Sequence, residues 1–209
     1  MNSQVVAPEK KFEAKYKTFR GYVLYTNSLS VAIAAIFSAF TCGLTLLFPL
    51  LFPQGFINIG DLAVMITAVL FGPIIGFTAG GIGPMLADFI LGYPQTALFT
   101  LIIKACEGFV VGFISNPRKH YKKINYQDIV GLIIGGLIMV FGYFFVELYI
   151  FRDPGWAFGE LPLNFGVQFG VGVIGTILFI ISSRKNIIIN FPHVFEKIFI
   201  LESLETISK

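Results

Sequence analysis

Charge is scarce in this sequence. Asp, Glu, Lys and Arg make up 13% of its 209 residues, about half the share of an average soluble domain. A water-soluble surface of that length needs more polar cover, so the composition argues against a soluble globular protein. Histidine and cysteine are also rare, at two each. No Cys/His grouping has metal-ligand spacing, and no metal or cofactor is expected. Cys42 and Cys106 both fall in apolar stretches, where a thiol reads as a small buried hydrophobe. Several catalytic signatures are missing. There is no Gly-x-x-x-x-Gly-Lys-Ser/Thr phosphate loop, so the chain is not itself an ATPase. There is no paired-histidine metalloprotease motif and no Gly-x-Ser-x-Gly elbow. Asp61 and Asp88 lack the Gly-x-Gly-Asp context of an intramembrane aspartyl dyad. These absences point away from an enzyme. The first 26 residues are polar and basic, without the early apolar core of a cleavable signal peptide.

What the chain has is apolar length. Hydrophobic residues make up 56%, with 24 Phe and 22 Gly, and the mean hydropathy is +0.80. A membrane-spanning helix needs about 20 mainly apolar residues. Such runs cover about 27–51, 58–71, 74–91, 97–115, 128–151 and 161–182, separated by Pro/Gly-rich or basic segments. The second run is short, and could instead join the third as one kinked span over 58–91. Charge parity chooses between these. Lys and Arg concentrate on the cytoplasmic side, and three segments carry them: Lys10, Lys11, Lys15, Lys17 and Arg20; Arg118, Lys119, Lys122 and Lys123; and Arg184, Lys185, Lys197 and Lys209. Six spans put all three on one side; five cannot.

The expected fold is therefore an all-α integral membrane bundle of six transmembrane helices with both termini cytoplasmic. Residues 1–26 form a cytoplasmic segment, 27–182 the membrane domain, and 183–209 a cytoplasmic tail. Val194, Phe195, Ile198, Phe199, Leu201 and Leu204 are spaced for an amphipathic helix on the membrane or a partner; a frayed tail is the alternative.

An ionisable side chain at the centre of a membrane helix costs on the order of 2.5–3.5 kcal/mol on insertion scales, so it faces a cavity or a partner. Five lie in the runs: Asp61, Asp88, Lys104, Glu107 and Glu147. The topology places them towards the outer side or mid-depth. Lys104 and Glu107 are three apart on one helix face and can pair, as ligand-binding groups or as a structural pair. Asn164 and Gln168 share a face of span six. The outer loops add Asn58, Tyr93, Gln95, Arg152, Asp153, Trp156 and Glu160. The inner halves are poorer in such groups, which predicts a polar pocket open to the outside. Trp156, Tyr93 and Tyr143 could stack on a flat ring, or Trp156 could anchor the membrane interface. Small residues recur every four positions at Ala35, Ala39 and Gly43 and at Gly72, Gly76 and Gly80, a pattern that permits close helix crossing. Pro84 is expected to kink span three.

Several of these residues also carry a resemblance. Gly60-Asp61 through Leu70-Phe71-Gly72-Pro73, then Ala79-Gly80-Gly81-Ile82-Gly83, Ala87-Asp88, Leu91-Gly92-Tyr93-Pro94 and Thr100-Leu101-Ile102-Ile103-Lys104 with Glu107-Gly108-Phe109 resemble the S components of energy-coupling factor (ECF) vitamin transporters. The similar group is the one named for riboflavin that also includes hydroxymethylpyrimidine and pyridoxine carriers. The motifs cover about 58–112; the remainder matches by topology and by Ala35-xxx-Ala39. The resemblance implies a substrate-binding subunit in the plasma membrane that captures a vitamin or precursor outside. Its partners would be a transmembrane T component and two cytoplasmic ATPases, with no nucleic acid. It implies that Ala35 and Ala39 contact the T component. It places the ligand among outer loops and the outer halves of helices four to six, making Lys104, Glu107, Tyr93, Gln95, Glu147, Trp156, Asn164 and Gln168 the candidate binding residues. Asp61, Asp88, Gly72 and Pro73 read as structural polar or turn positions. Spans five and six match no single vitamin's pattern. The competing reading is a self-sufficient, gradient-driven carrier, since buried charges also serve proton coupling.

Overall fold

The computed structural model describes residues 18–25, 28–47, 49–51 and 56–199. Lys10, Lys11, Lys15, Lys17, Leu201, Leu204 and Lys209 lie outside them. Among the described residues the regular structure is helical apart from two short antiparallel hairpins. β1 (Thr18–Phe19) pairs with β2 (Tyr22–Val23), and β3 (Leu50–Leu51) pairs with β4 (Phe56–Ile57). The helices are α1 (Ser28–Leu47), α2 (Gly60–Phe71), α3 (Pro73–Leu91), α4 (Pro94–Ser115), α5 (Tyr126–Ile150), α6 (Pro154–Asn190) and the single turn α7 (Pro192–Phe195). Five of them, α1 and α3 to α6, are long and apolar enough to cross a membrane.

The short run is a helix of its own. At 12 residues, α2 is about 18 Å long, well under a hydrocarbon core of about 30 Å. It tolerates this because it is enclosed: Ala63, Val64, Met65, Ala68 and Val69 have no accessible surface. Gly72 separates it from α3 with φ 81°, a left-handed conformation suited to glycine. Pro73 then opens α3 at a position where its missing N–H costs nothing. The Gly72–Gly76–Gly80 stripe packs within the chain. A Cβ on Gly76 would lie 2.6 Å from the Gly108 carbonyl oxygen, so α3 and α4 cross backbone to backbone. Pro84 sits inside α3 without dividing it.

By contrast, α5 and α6 present Ile129, Ile133, Phe141, Phe145, Ile174, Leu178 and Ile181 outward, the surface expected towards lipid. Cys42 is buried as expected, but Cys106 is exposed on α4 among apolar neighbours, since its helix faces outward there.

The last helix is longer than its apolar run. Asp153 accepts a hydrogen bond from the Trp156 amide (2.9 Å) and Pro154 follows, a helix start ahead of residue 161. The helix continues past 182 to Asn190. Two π-helical segments, Asn164–Phe169 and Ile180–Arg184, interrupt it, and a third, Val146–Ile150, ends α5. The apolar stripe of the tail finds its partner in the chain itself. Phe195, Ile198 and Phe199 are buried against Tyr22, Phe71 and Ile188, Phe195 stacks on Phe71 at 5.3 Å, and the Val23 amide donates to the Ile198 carbonyl (2.8 Å).

These contacts gather β1–β2, the 116–125 loop and the C-terminal segment at one end, here called the basic end. Tyr22 donates to Asn116 Oδ1 (3.1 Å). Arg184 is fully buried there. It forks onto Asp128 at 2.7 and 3.0 Å and donates to the carbonyls of His120 (2.6 Å) and Lys123 (2.9 Å). Asp128 in turn closes a capping box with Asn125 at the start of α5. Arg184 is thus a structural clamp rather than part of a free basic tail.

Candidate functional site

The opposite end carries the polar side chains. α2 begins there at Gly60, whose amide is held by Asn58 Oδ1 (2.6 Å). Asp61, in the first turn, has its carboxylate at a helix N-terminus, where the backbone dipole favours it. That carboxylate pairs with Lys104 Nζ from α4. Lys104 also reaches Glu107 one turn on, at 3.3 Å. All three are buried, so one ammonium serves two carboxylates. The Lys104–Glu107 pairing agrees with the spacing. Asp61 as a partner arises because α2 and α4 pack side by side.

Above this group the helices leave a cavity of about 40 Å³. α1 supplies Thr45, β4 supplies Phe56, and Asn58 follows it. α3 gives Pro84 and Asp88; α4 gives Thr96, Thr100 and Lys104. α5 gives Tyr143 and Glu147; α6 gives Trp156, Glu160 and Gln168. Asp88 accepts from Thr96 Oγ1 (2.8 Å), and Tyr143 donates to Thr100 Oγ1 (3.1 Å). Lys104 Nζ lies 5.7 Å from the centre of the Tyr143 ring, within cation–π range. Glu160, Asn164 and Gln168 form one stripe on α6 at four-residue spacing, with Gln168 Nε2 donating to Asn164 Oδ1. The π segments carry Glu147 on α5 and Asn164 and Gln168 on α6. The wider turn is frequent at functional sites.

Of the residues singled out by sequence, Lys104, Glu147, Trp156 and Gln168 line the cavity. Glu107 and Asn164 are buried directly behind it. Tyr93 and Gln95 are not among its lining residues: Gln95 is exposed, and Tyr93 packs on Phe56 with ring centres 5.5 Å apart. Asp88, assigned to a structural role, is a lining residue, and Asp61 is the ion-pair partner of one. Glu160, expected in an outer loop, lies on α6. The Asp153-Pro154 helix start is the signal that puts it there, in register with Asn164 and Gln168. Tyr143 was noted only for stacking; its hydroxyl also joins the Thr100 network.

At the flank of the bundle Ala35 and Ala39 are exposed on α1. With Val31, Ile82 and Leu86 they line a shallow apolar groove between α1 and α3.

The family model for the ECF-type riboflavin transporter S component matches residues 26–185, which takes in every lining residue and every span but the end of α6. The chain belongs to that family. As an S component it is a multi-pass membrane protein and a substrate-binding subunit of a vitamin-type transporter. It is also similar to a Pyrococcus woesei protein described as "Uncharacterized protein in gap 3'region". The two are 44% identical over 133 residues, covering 63% of this chain and 85% of that one. The S-component assignment fits the architecture: an enclosed polar site at one end, an apolar flank, and no nucleotide-binding loop in the sequence.

Proposed function

We propose that this S component captures a vitamin or vitamin precursor with a heteroaromatic ring, such as riboflavin, pyridoxine or hydroxymethylpyrimidine, on the outer side of the plasma membrane. It delivers the ligand through a transmembrane T component driven by two ATPases. The observation that carries this reading is the cavity between Asp88, Lys104, Glu147, Trp156 and Gln168, which lies at the end away from Arg118, Lys119, Lys122 and Lys123. Six passes between the two ends, with α2 as the short enclosed one, put the termini and the basic loop in the cytoplasm and the cavity outside. Ring binding requires the site to widen, since a void of about 40 Å³ holds water rather than a heterocycle. Trp156 and Phe56, two of its aromatic lining residues, are the side chains that part. Docking on the T component uses the groove at Ala35 and Ala39, whose small side chains let a partner helix approach closely.

Three measurements test this. Co-purifying small molecules, identified by mass spectrometry, should include a heteroaromatic vitamin; recovery of lipid alone in repeated preparations would count heavily against the reading. In vesicles containing the T component and ATPases, uptake should require ATP. Uptake that persists without the ATPases and collapses with the proton gradient would favour the self-sufficient carrier. Lys104→Ala should abolish ligand binding while the protein remains inserted; unchanged affinity would make Lys104 purely structural.

A further inference from the structure

The charges around the cavity do not balance. Five carboxyl groups, Asp61, Asp88, Glu107, Glu147 and Glu160, line it or lie directly behind it, and Lys104 is the only Lys or Arg among the described residues there. Lys104 is committed to Asp61 and Glu107. Asp88 has hydroxyl partners. Glu147 has neither form of compensation, and Glu160 has only the Trp156 indole and the Asn164 amide beside it. Glu147 and Glu160 are 2% and 8% exposed, and their carboxyl groups face one another across the α5–α6 junction. Both oxygens of Glu147 and Oε1 of Glu160 meet no hydrogen-bond donor among the described residues. Asp153 adds a further acid close to Glu147. Two carboxyl groups in that position repel unless a proton or a donor lies between them. Trp156 sits beside Glu160, with its ring packed on Phe151 at 5.2 Å between centroids. Asn164 is held by Gln168 next to the same carboxyl group.

Resting on the substrate-binding reading above, and narrowing it away from neutral rings such as riboflavin, we propose that the pocket selects an aromatic ligand with a positively charged amino or amidine nitrogen. That nitrogen seats between Glu147 and Glu160 while the ring lies against Trp156. An N–H-rich cation satisfies both acceptors at once, and charge-assisted bonds of this kind are the strong ones. The same surplus rejects anionic ligands, so a phosphorylated form of the substrate is excluded.

The test uses the full chain purified in detergent. Trp156 is the single tryptophan, so its fluorescence reports directly on the cavity, with calorimetry as a second readout. The probes are benzamidine, its neutral isostere benzamide, phenyl phosphate and riboflavin. Benzamidine should give a saturable response at least about tenfold tighter than benzamide, and phenyl phosphate none. Glu147→Gln and Glu160→Gln, each checked for retained thermal unfolding, should erase the preference for the cation. Equal binding of benzamide, no saturable response to benzamidine, or a preference that survives both substitutions would overturn the proposal. Riboflavin separates the two levels. A saturable flavin response without cation preference overturns the charge assignment alone; no response to any of the four counts against the substrate-binding reading as well.

Discussion

At the basic end Arg184 has Asp128 on one side and two backbone carbonyls on the other. At the pocket end Lys104 is shared by two carboxylates, and the Glu147–Glu160 pair has no cation at all. Both regions bury charge, and both lie in a chain that is poor in it. The difference is stoichiometry. A buried charge matched by an opposite charge holds helices together; a buried surplus of one sign is costly and persists where something else completes it. The aromatic packing follows the same division. Phe71, Phe195 and Phe199 seal the basic end, whereas Trp156 and Phe56 border a void.

This contrast can be broken most directly at Arg184. Arg184→Ala leaves the buried Asp128 without its cation, and should cost about 3–5 kcal/mol, read as a large fall in the thermal unfolding midpoint in detergent. The double replacement Asp128→Leu with Arg184→Met should recover most of that loss. If the single change were nearly silent, the clamp would be incidental. Phe195→Ala should cost about 3 kcal/mol by opening a cavity at the same end, with ligand affinity unchanged in the folded fraction. At the pocket end the sign should reverse. Glu147→Gln relieves like-charge crowding and should stabilise the protein by about 1 kcal/mol while weakening ligand binding; destabilisation together with intact binding would contradict the surplus. Smallest in stability is Ala35→Leu on the exposed flank, expected within about 0.5 kcal/mol of the parent. It should leave ligand affinity intact yet block ATP-driven uptake, and normal uptake would move the docking surface elsewhere.

Much of the fold was legible because membrane helices announce themselves by apolar length. The short α2 was separable from α3 because Gly72-Pro73 is a break written locally. The end of α6 was not legible: the polar run Ser182-Ser183-Arg184-Lys185 looks like a terminus, yet the helix continues to Asn190 with Arg184 held by Asp128. The tail's apolar spacing was readable, but not that its partner would be Phe71 and Tyr22. Within the site, Lys104 with Glu107 was visible as an i,i+3 pair. Asp61 was not visible as the second partner, because 43 residues of chain separate it from Lys104 and only the packing of α2 on α4 brings them together.

Hydropathy, the three basic clusters and the motif run from Gly60 to Gly108 determined by themselves that this is a multi-helix membrane protein of transporter type. Those properties are local or summed along the chain. The tertiary structure decided which buried charges are matched and which are not. Each charge's environment is set by neighbouring helices, and no spacing within one helix reveals that Arg184 meets Asp128 while Glu147 and Glu160 face each other.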